Sequence, residues 1–174
     1  SRLPGHRVRL KTPGIDFNTG ALGLGFPVSV GLALAAKKQK KDYKTILLLG
    51  DGELEEGSNW EAAMSASHFK LDNLIAIVDR NTLQLADRTE TIMALEPLAD
   101  KFRAFGFSVC EINGNAPDEI ITTLMSCKTG GGKPHMIIAH TKKGKGVSFI
   151  EDKPAWHHKI PVGDEIKKAI EELE

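Results

Sequence analysis

The chain has 174 residues, 41% of them hydrophobic, and carries 23 basic and 23 acidic residues. This length and apolar content suit one α/β domain, so we expect residues 1–174 to form a single domain. With a formal net charge of zero, no overall field attracts nucleic acid or an anionic membrane, and the apolar stretches are too short to cross a bilayer.

The first half of the chain alternates between helix and strand patterns. Residues 1–19 are rich in Pro-Gly pairs and predict a loop. We then expect a small-residue helix over 20–39, a buried strand over 45–49, a helix over 58–69 and a strand over 74–78. Ser58 is predicted to cap the second helix, with Glu61 completing a capping box.

The second half continues the alternation. It predicts a helix over 95–105, a strand over 107–112, a helix over 116–127, a strand over 135–139 and a terminal helix over 164–174. Strands that alternate with helices predict an α/β fold, a parallel sheet with helices on both faces. Ligands of such sheets bind beyond the carboxyl ends of the strands.

Two cysteines, Cys110 and Cys127, belong to no metal-binding pattern. Cys110 lies in an apolar run that predicts a buried free thiol, which fits a reducing compartment, and the chain begins with polar residues rather than a signal sequence. We therefore predict a cytoplasmic protein.

The segment with the clearest chemistry is Gly50-Asp51-Gly52, at the end of a predicted buried strand. A carboxylate there is costly unless it meets a cation or hydrogen-bond donors, and the glycines allow a ligand to approach the backbone. The next strand ends at Asp79-Arg80-Asn81. If the two strands are neighbours, Asp51 and Asn81 form a hard-oxygen site suited to Mg²⁺ or Ca²⁺. A GDG segment alone is typical of a turn. The metal-site prediction therefore depends on the combination of a strand ending in GDG, a helix, and a second strand ending in Asn.

A GDG segment followed thirty residues later by Asn resembles the signature of thiamine-diphosphate enzymes. The resemblance implies that Asp51, Asn81 and the carbonyl of Leu83 bind a metal ion, which in turn holds the diphosphate of the cofactor. It also implies the thiamine-diphosphate-binding fold, with this chain forming the diphosphate-binding domain.

Several longer segments resemble transketolases in particular. They are TPGIDFNTGALGLG at 12–25, GDGELEEG at 50–57, LDNLIAIVDRN at 71–81, EPLADKFRAFG at 96–106, KKGKGV at 142–147 and WH at 156–157. Together they span most of the chain and are similar to the N-terminal subunit of a split transketolase.

The resemblance implies roles for further residues around the cofactor. Gly50 and Gly52 would lend backbone groups to the diphosphate, and Gly20, Leu22 and Leu85 would line the cofactor rings. Glu56 corresponds to an acidic residue that couples paired active sites, while His6 and His157 correspond to histidines that face the sugar. The chain departs from the family pattern at Arg7, Leu24 and His158.

The activity implied is transfer of a two-carbon ketol unit from a ketose phosphate to an aldose phosphate, using thiamine diphosphate and Mg²⁺ or Ca²⁺. The family also needs a pyrimidine-binding domain, and its first segment has no match here. We therefore expect a separate pyrimidine-binding subunit within a heterotetramer, with no turnover by this chain alone.

Two alternatives remain open from the sequence. The same cofactor serves 1-deoxyxylulose-5-phosphate synthase and 2-oxoacid dehydrogenase components, which act on different donors. A non-catalytic, degenerate subunit is the other alternative, since the sequence departs from the family pattern. The presence of Asp51, Asn81 and Glu56 argues against degeneracy, because a buried carboxylate with no cation would cost stability.

Overall fold

A computed structural model describes residues 8–9 and 11–174. Its sheet contains four strands, β1 (Thr45–Gly50), β2 (Leu74–Arg80), β3 (Ser108–Asn113) and β4 (His135–His140). They are all parallel, in the order β1-β2-β4-β3. The four predicted strands and the parallel α/β fold are therefore confirmed.

Six α-helices occur among the described residues. They are α1 (Gly25–Lys38), α2 (Gly57–His68), α3 (Thr89–Ile92), α4 (Leu98–Ala104), α5 (Pro117–Ser126) and α6 (Asp164–Leu173). Short 3₁₀ turns lie at Gly52–Glu55 and Pro154–Trp156. No described helix has the combined length and apolar character that a membrane span requires.

Helices pack on both faces of the sheet because alternate strand residues point to opposite sides. On one face, Leu49 and Val78 pack with Phe26 of α1, Ala63 of α2 and Phe102 of α4 in the larger buried cluster. On the other face, a smaller cluster joins β2, β3 and β4 to α5.

The first helix begins later than expected, at Gly25 rather than residue 20. Gly23 has a left-handed φ of +78°, which a right-handed helix does not accommodate. The predicted capping box was also wrong. Helix α2 starts at Gly57 after Glu56, which makes no side-chain cap, and the Ser58 hydroxyl donates instead to the carbonyl of Gly23 at 2.7 Å.

The helix expected over 95–105 begins only at Leu98, and the sequence did not predict the short helix α3 before it. Pro97 accounts for the late start, because the residue before a proline is disfavoured in the helical region. Residues 88–97 instead fold back toward the end of β2, where Leu83 and Arg88 form an isolated antiparallel bridge.

Strands β1 and β2 end together at the carboxyl edge of the sheet. Gly50 lies beside Asp79 in the register of this strand pair. Asp51, which follows β1, is therefore next to Arg80 and Asn81 at the end of β2. The expected adjacency of the two strands is confirmed, and it is this edge that positions the candidate site.

Candidate metal and cofactor site

Asp51 lies at the centre of the candidate site and is almost fully buried, at 1% exposure. Its Oδ1 accepts from the backbone N–H of Gly52 at 2.8 Å. Its Oδ2 accepts from the N–H of Thr82 at 2.6 Å and from Nη1 of Arg80 at 3.2 Å. Burial is the largest influence and raises the pKa of Asp51, although these three partners act to lower it. The ionised carboxylate is thus not fully compensated by its neighbours.

The other two predicted ligands follow on one tight loop. Asn81 is buried, and its Oδ1 accepts from the N–H of Leu83 at 3.0 Å. Between them, Thr82 has a left-handed φ of +65°, which is uncommon for a β-branched residue. Because the N–H of Thr82 binds Asp51, the loop is attached directly to the carboxylate.

The glycines around Asp51 are packed differently from each other. A Cβ on Gly52 would lie 2.9 Å from Cβ of Gln84, whereas one on Gly50 would meet only Cβ of Glu53, at an ordinary 4.0 Å. The Gln84 amide in turn donates to Oε1 of Glu55 at 2.6 Å. Gly52 is therefore required by the protein's own packing, which the sequence did not indicate.

Glu53 links the GDG segment to the loop before α1. Its Oε1 accepts from the N–H of Gly23 at 3.0 Å and its Oε2 from the N–H of Gly50 at 3.3 Å. A Cβ on Gly23 would come within 2.7 Å of Cβ of Glu56. The structure thus brings the loop that contains Gly20 and Leu22 against Glu56, whose side chain is exposed.

His157 lies after the second 3₁₀ turn and within electrostatic reach of Asp51. His157 is exposed overall, but partial desolvation of its ring is the main cause that lowers its pKa, and the charges of Lys143 and His158 lower it further. The carboxylate of Asp51 acts in the opposite direction. This shift favours the neutral imidazole near pH 7, the form that can accept a proton.

Of the remaining residues predicted to contact cofactor or substrate, three are exposed and one is not described. Gly20, Leu22 and Leu85 are exposed, with Leu22 and Leu85 at 61% and 60%. Large apolar side chains at this exposure suit contact with a ligand or another chain. His6 lies outside the described residues.

The donor set fits a divalent cation. Among the described residues, no cluster of three or more His, Cys, Asp or Glu side chains is placed to hold a metal. The carboxyl edge instead places the Asp51 carboxylate beside the Asn81 carboxamide, and the backbone carbonyl of Leu83 is the third ligand expected from the sequence. Such hard oxygens are preferred by Mg²⁺ and Ca²⁺, with further positions for phosphate and water. A cation would also offset the burial that raises the pKa of Asp51.

The side chain of Arg80 contacts Asp51, Thr89, Glu90 and Glu96. Of these residues, the sequence indicated only Asp51 as part of the site. A charged residue ending an apolar strand was the available signal, since a buried guanidinium requires anions. The partners themselves could not be found from spacing, because they lie on the segment that folds back over β2.

The fold and this edge define the class as a parallel α/β domain whose sheet has the side chains of Asp51 and Asn81 buried together at its carboxyl edge. Residues 1–173 match the model for the transketolase thiamine diphosphate binding domain. The chain belongs to this family.

Named relatives agree with this assignment. The chain is 57% identical over 173 residues to one subunit of the apulose-4-phosphate transketolase of Actinobacillus succinogenes, covering 99% of this chain and 62% of that protein. It is 45% identical over 172 residues to a 6-deoxy-6-sulfo-D-fructose transketolase subunit of a Clostridium species, again covering 99% and 62%.

Solved structures give the same result. The transketolase of Campylobacter jejuni superposes with a TM-score of 0.86 at 38% identity, over 98% of this chain and 28% of that one. The chain thus spans about three-fifths of the length of the curated subunit relatives and just over a quarter of this transketolase.

Proposed function

We propose that this chain is part of a transketolase subunit that binds the diphosphate and metal ion of thiamine diphosphate. The observation that carries the proposal is the buried Asp51 carboxylate beside Asn81 at the joint end of β1 and β2. Asp51, Asn81 and the Leu83 carbonyl would hold Mg²⁺ or Ca²⁺, and Gly50 and Gly52 would present backbone groups to the diphosphate.

When bound, thiamine diphosphate supplies the nucleophilic carbon that makes cleavage of a bond beside a carbonyl possible. The chain's own residues would bind and orient. Gly20, Leu22 and Leu85 would line the cofactor rings, and Glu56, beside the Gly23 loop, would couple paired sites. His6 and His157 would contact substrate hydroxyl groups, where a neutral imidazole can accept or donate a proton.

The proposed reaction is transfer of a two-carbon ketol unit from a ketose phosphate to an aldose phosphate. The family assignment supports this reaction over the decarboxylating alternatives, because the named relatives are transketolases. Those relatives carry apulose-4-phosphate and 6-deoxy-6-sulfo-D-fructose in their names, so a phosphorylated or sulfonated sugar is the substrate class to test first.

A separate pyrimidine-binding subunit is the proposed partner, in a heterotetramer. Relatives that are named as subunits support a divided enzyme. The exposed apolar side chains of Leu22, Leu24 and Leu85 near the site also suit a surface that another chain covers. Nucleic acid and membranes are not proposed as partners, and a cytoplasmic location remains a prediction.

Calorimetry of the intact subunit tests this proposal. Thiamine diphosphate with Mg²⁺ would be titrated with and without the pyrimidine-binding subunit, and the titration repeated with Asp51→Ala. We expect metal-dependent binding that requires the partner. In the variant it should weaken by more than the roughly 10- to 100-fold typical of losing a group that only orients a ligand, since the charged ligand itself is lost. The control is Asp100→Ala, which removes an exposed carboxylate on α4. Equal binding by wild type and Asp51→Ala would overturn the proposal.

A further inference from the structure

Arg80, the last residue of β2, has a side chain that is only 3% exposed. Its Nη1 donates to Oδ2 of Asp51 at 3.2 Å and to the Thr89 hydroxyl at 2.8 Å. Its Nη2 donates to Glu90 and Glu96, each at 2.8 Å, and its Nε donates to Glu96 at 3.3 Å. The five N–H groups of the guanidinium thus make five hydrogen bonds, which fixes its plane.

This fixed guanidinium restrains the Asp51 carboxylate. Oδ2 of Asp51 accepts from both Arg80 and the N–H of Thr82, while Oδ1 accepts from the N–H of Gly52. A carboxylate held at both oxygens from three directions cannot rotate freely about its terminal bond. The lone pair that remains on Oδ1 therefore has a defined direction.

The opposite side of Arg80 is anchored by carboxylates that are themselves oriented. Oε1 of Glu90 also accepts from the N–H of Leu95 at 3.0 Å. Oε2 of Glu96 accepts from the N–H of Leu98 at 2.8 Å, at the start of α4. The segment 88–97 is thereby closed around the guanidinium, and Arg80 connects this segment to the candidate metal site.

The same segment also supports the loop that carries the other two candidate ligands. The N–H of Thr89 donates to the carbonyl of Thr82 at 2.9 Å. Thr82 is the left-handed residue between Asn81 and Leu83, and a β-branched residue in this conformation persists only when its surroundings hold it. Through Thr89, Arg80 therefore supports the loop as well as the carboxylate.

We propose that Arg80 is a positioning residue for the metal ion, aligning the Asp51 carboxylate and the 81–83 loop by tying both to the segment 88–97. This inference rests on the proposed function. Removing a neighbouring positive charge would by itself strengthen cation binding, whereas losing the alignment weakens it. Groups that orient metal ligands change metal affinity by about 10- to 100-fold, so we expect the alignment to dominate.

The test measures Mn²⁺ affinity by electron paramagnetic resonance, with thiamine diphosphate present, in the complex of the intact subunit with its pyrimidine-binding partner. Arg80→Met removes the five donors and keeps much of the volume. We expect Mn²⁺ binding about 10- to 100-fold weaker than in the wild type. Arg80→Lys keeps the charge but not the planar fork, so we expect little rescue. Unchanged or tighter Mn²⁺ binding by Arg80→Met would overturn the inference.

A second pair of variants decides the question if Arg80→Met does not fold. Thr89→Val removes one acceptor of Arg80 without changing charge, and Thr91→Val makes the same change at an exposed position of α3. We expect Thr89→Val to weaken Mn²⁺ binding about three- to tenfold, the effect of one hydrogen bond, and Thr91→Val to leave it unchanged. Equal affinities in these two variants would contradict the inference.

The two proposals fail in distinguishable ways. A wild-type complex that binds no Mn²⁺ with thiamine diphosphate would overturn the proposed function, and with it the role of Arg80. A wild-type complex that binds Mn²⁺, with variants that bind it equally well, would overturn only the role of Arg80.

Discussion

Two aspartates at opposite edges of the sheet have similar hydrogen-bond partners, but their pKa values are shifted in opposite directions. Asp72, at the amino edge, accepts from the N–H groups of Gly130 and Gly132 at 2.8 and 3.0 Å and pairs with the Lys37 ammonium at 3.4 Å. Burial acts to raise the pKa of Asp72, but these partners together hold it below its ordinary value. Asp51, at the carboxyl edge, also has two backbone donors and one cation, yet its pKa is raised.

The difference comes from burial. The side chain of Asp72 is 14% exposed and that of Asp51 is 2% exposed. The hydrogen bonds and ion pair of Asp72 thus fully compensate its partial burial, and this side chain holds the 130–132 turn in place. For Asp51, the cost of burying the ionised carboxylate exceeds the stabilisation that its hydrogen bonds and ion pair provide. A bound cation stabilises a carboxylate most under this condition.

The first comparison separates the two aspartates by how the stability of each variant responds to metal removal. At ligand concentrations near 100 times Kd, binding stabilises a protein by about 2.7 kcal/mol. Chelating Mg²⁺ from the proposed complex of this subunit, its partner and thiamine diphosphate should therefore lower Tm for the wild type and for Asp72→Ala by similar amounts. Asp51→Ala should show no such shift in differential scanning calorimetry.

The Tm of each variant before chelation provides the internal control for that comparison. Asp72→Ala should begin lower than the wild type, since a structural contact is lost, but should keep its metal response. A metal response that disappears in Asp72→Ala and persists in Asp51→Ala would reverse the roles assigned to the two edges.

A pair of glycines sharpens the same contrast. Gly23 and Gly130 both have left-handed φ values, +78° and +97°. A Cβ on Gly130 would meet nothing within 4 Å, whereas one on Gly23 would lie 2.5 Å from the hydroxyl oxygen of Ser58. Gly130→Ala should cost about 1–2 kcal/mol of unfolding free energy. Gly23→Ala should cost a further ~1–3 kcal/mol for the overlap.

Urea denaturation of both glycine variants measures this difference. Gly23→Ala should also weaken cofactor binding, because the change displaces the loop packed against Glu56. Equal losses of stability would mean that the loop before α1 moves aside freely, so that it is less rigid than the contacts indicate.

The smallest effect concerns the pH dependence at the amino edge. Because the folded-state pKa of Asp72 is lowered, its contribution is complete above the ordinary carboxyl pKa and is lost as pH falls through the folded value. Asp72→Asn should therefore be less stable than the wild type by about 1 kcal/mol near pH 7. The difference should shrink below about pH 4. A difference that stays constant down to pH 2 would contradict the assignment.

The sequence predicted the parallel α/β fold because its strands are short apolar runs separated by helical patterns. Thr45–Gly50 and Leu74–Arg80 are apolar runs of this kind, and the structure places them side by side. The expectation that Asp51 and Asn81 lie at one edge followed from that order alone. Helix starts were less predictable, since Gly23 and Ser58 contact each other across the chain rather than acting within a local cap.

The sequence by itself therefore determined the order of the four strands and of five of the six described helices, the family resemblance and the side-chain oxygens of the proposed metal site. Only the tertiary structure decided which groups hold those oxygens in place. Arg80 is local to the site, but Thr89, Glu90 and Glu96 reach it through a segment that folds back over β2. Periodicity reports which face of an element is buried, and it carries no information about polar contacts between distant residues.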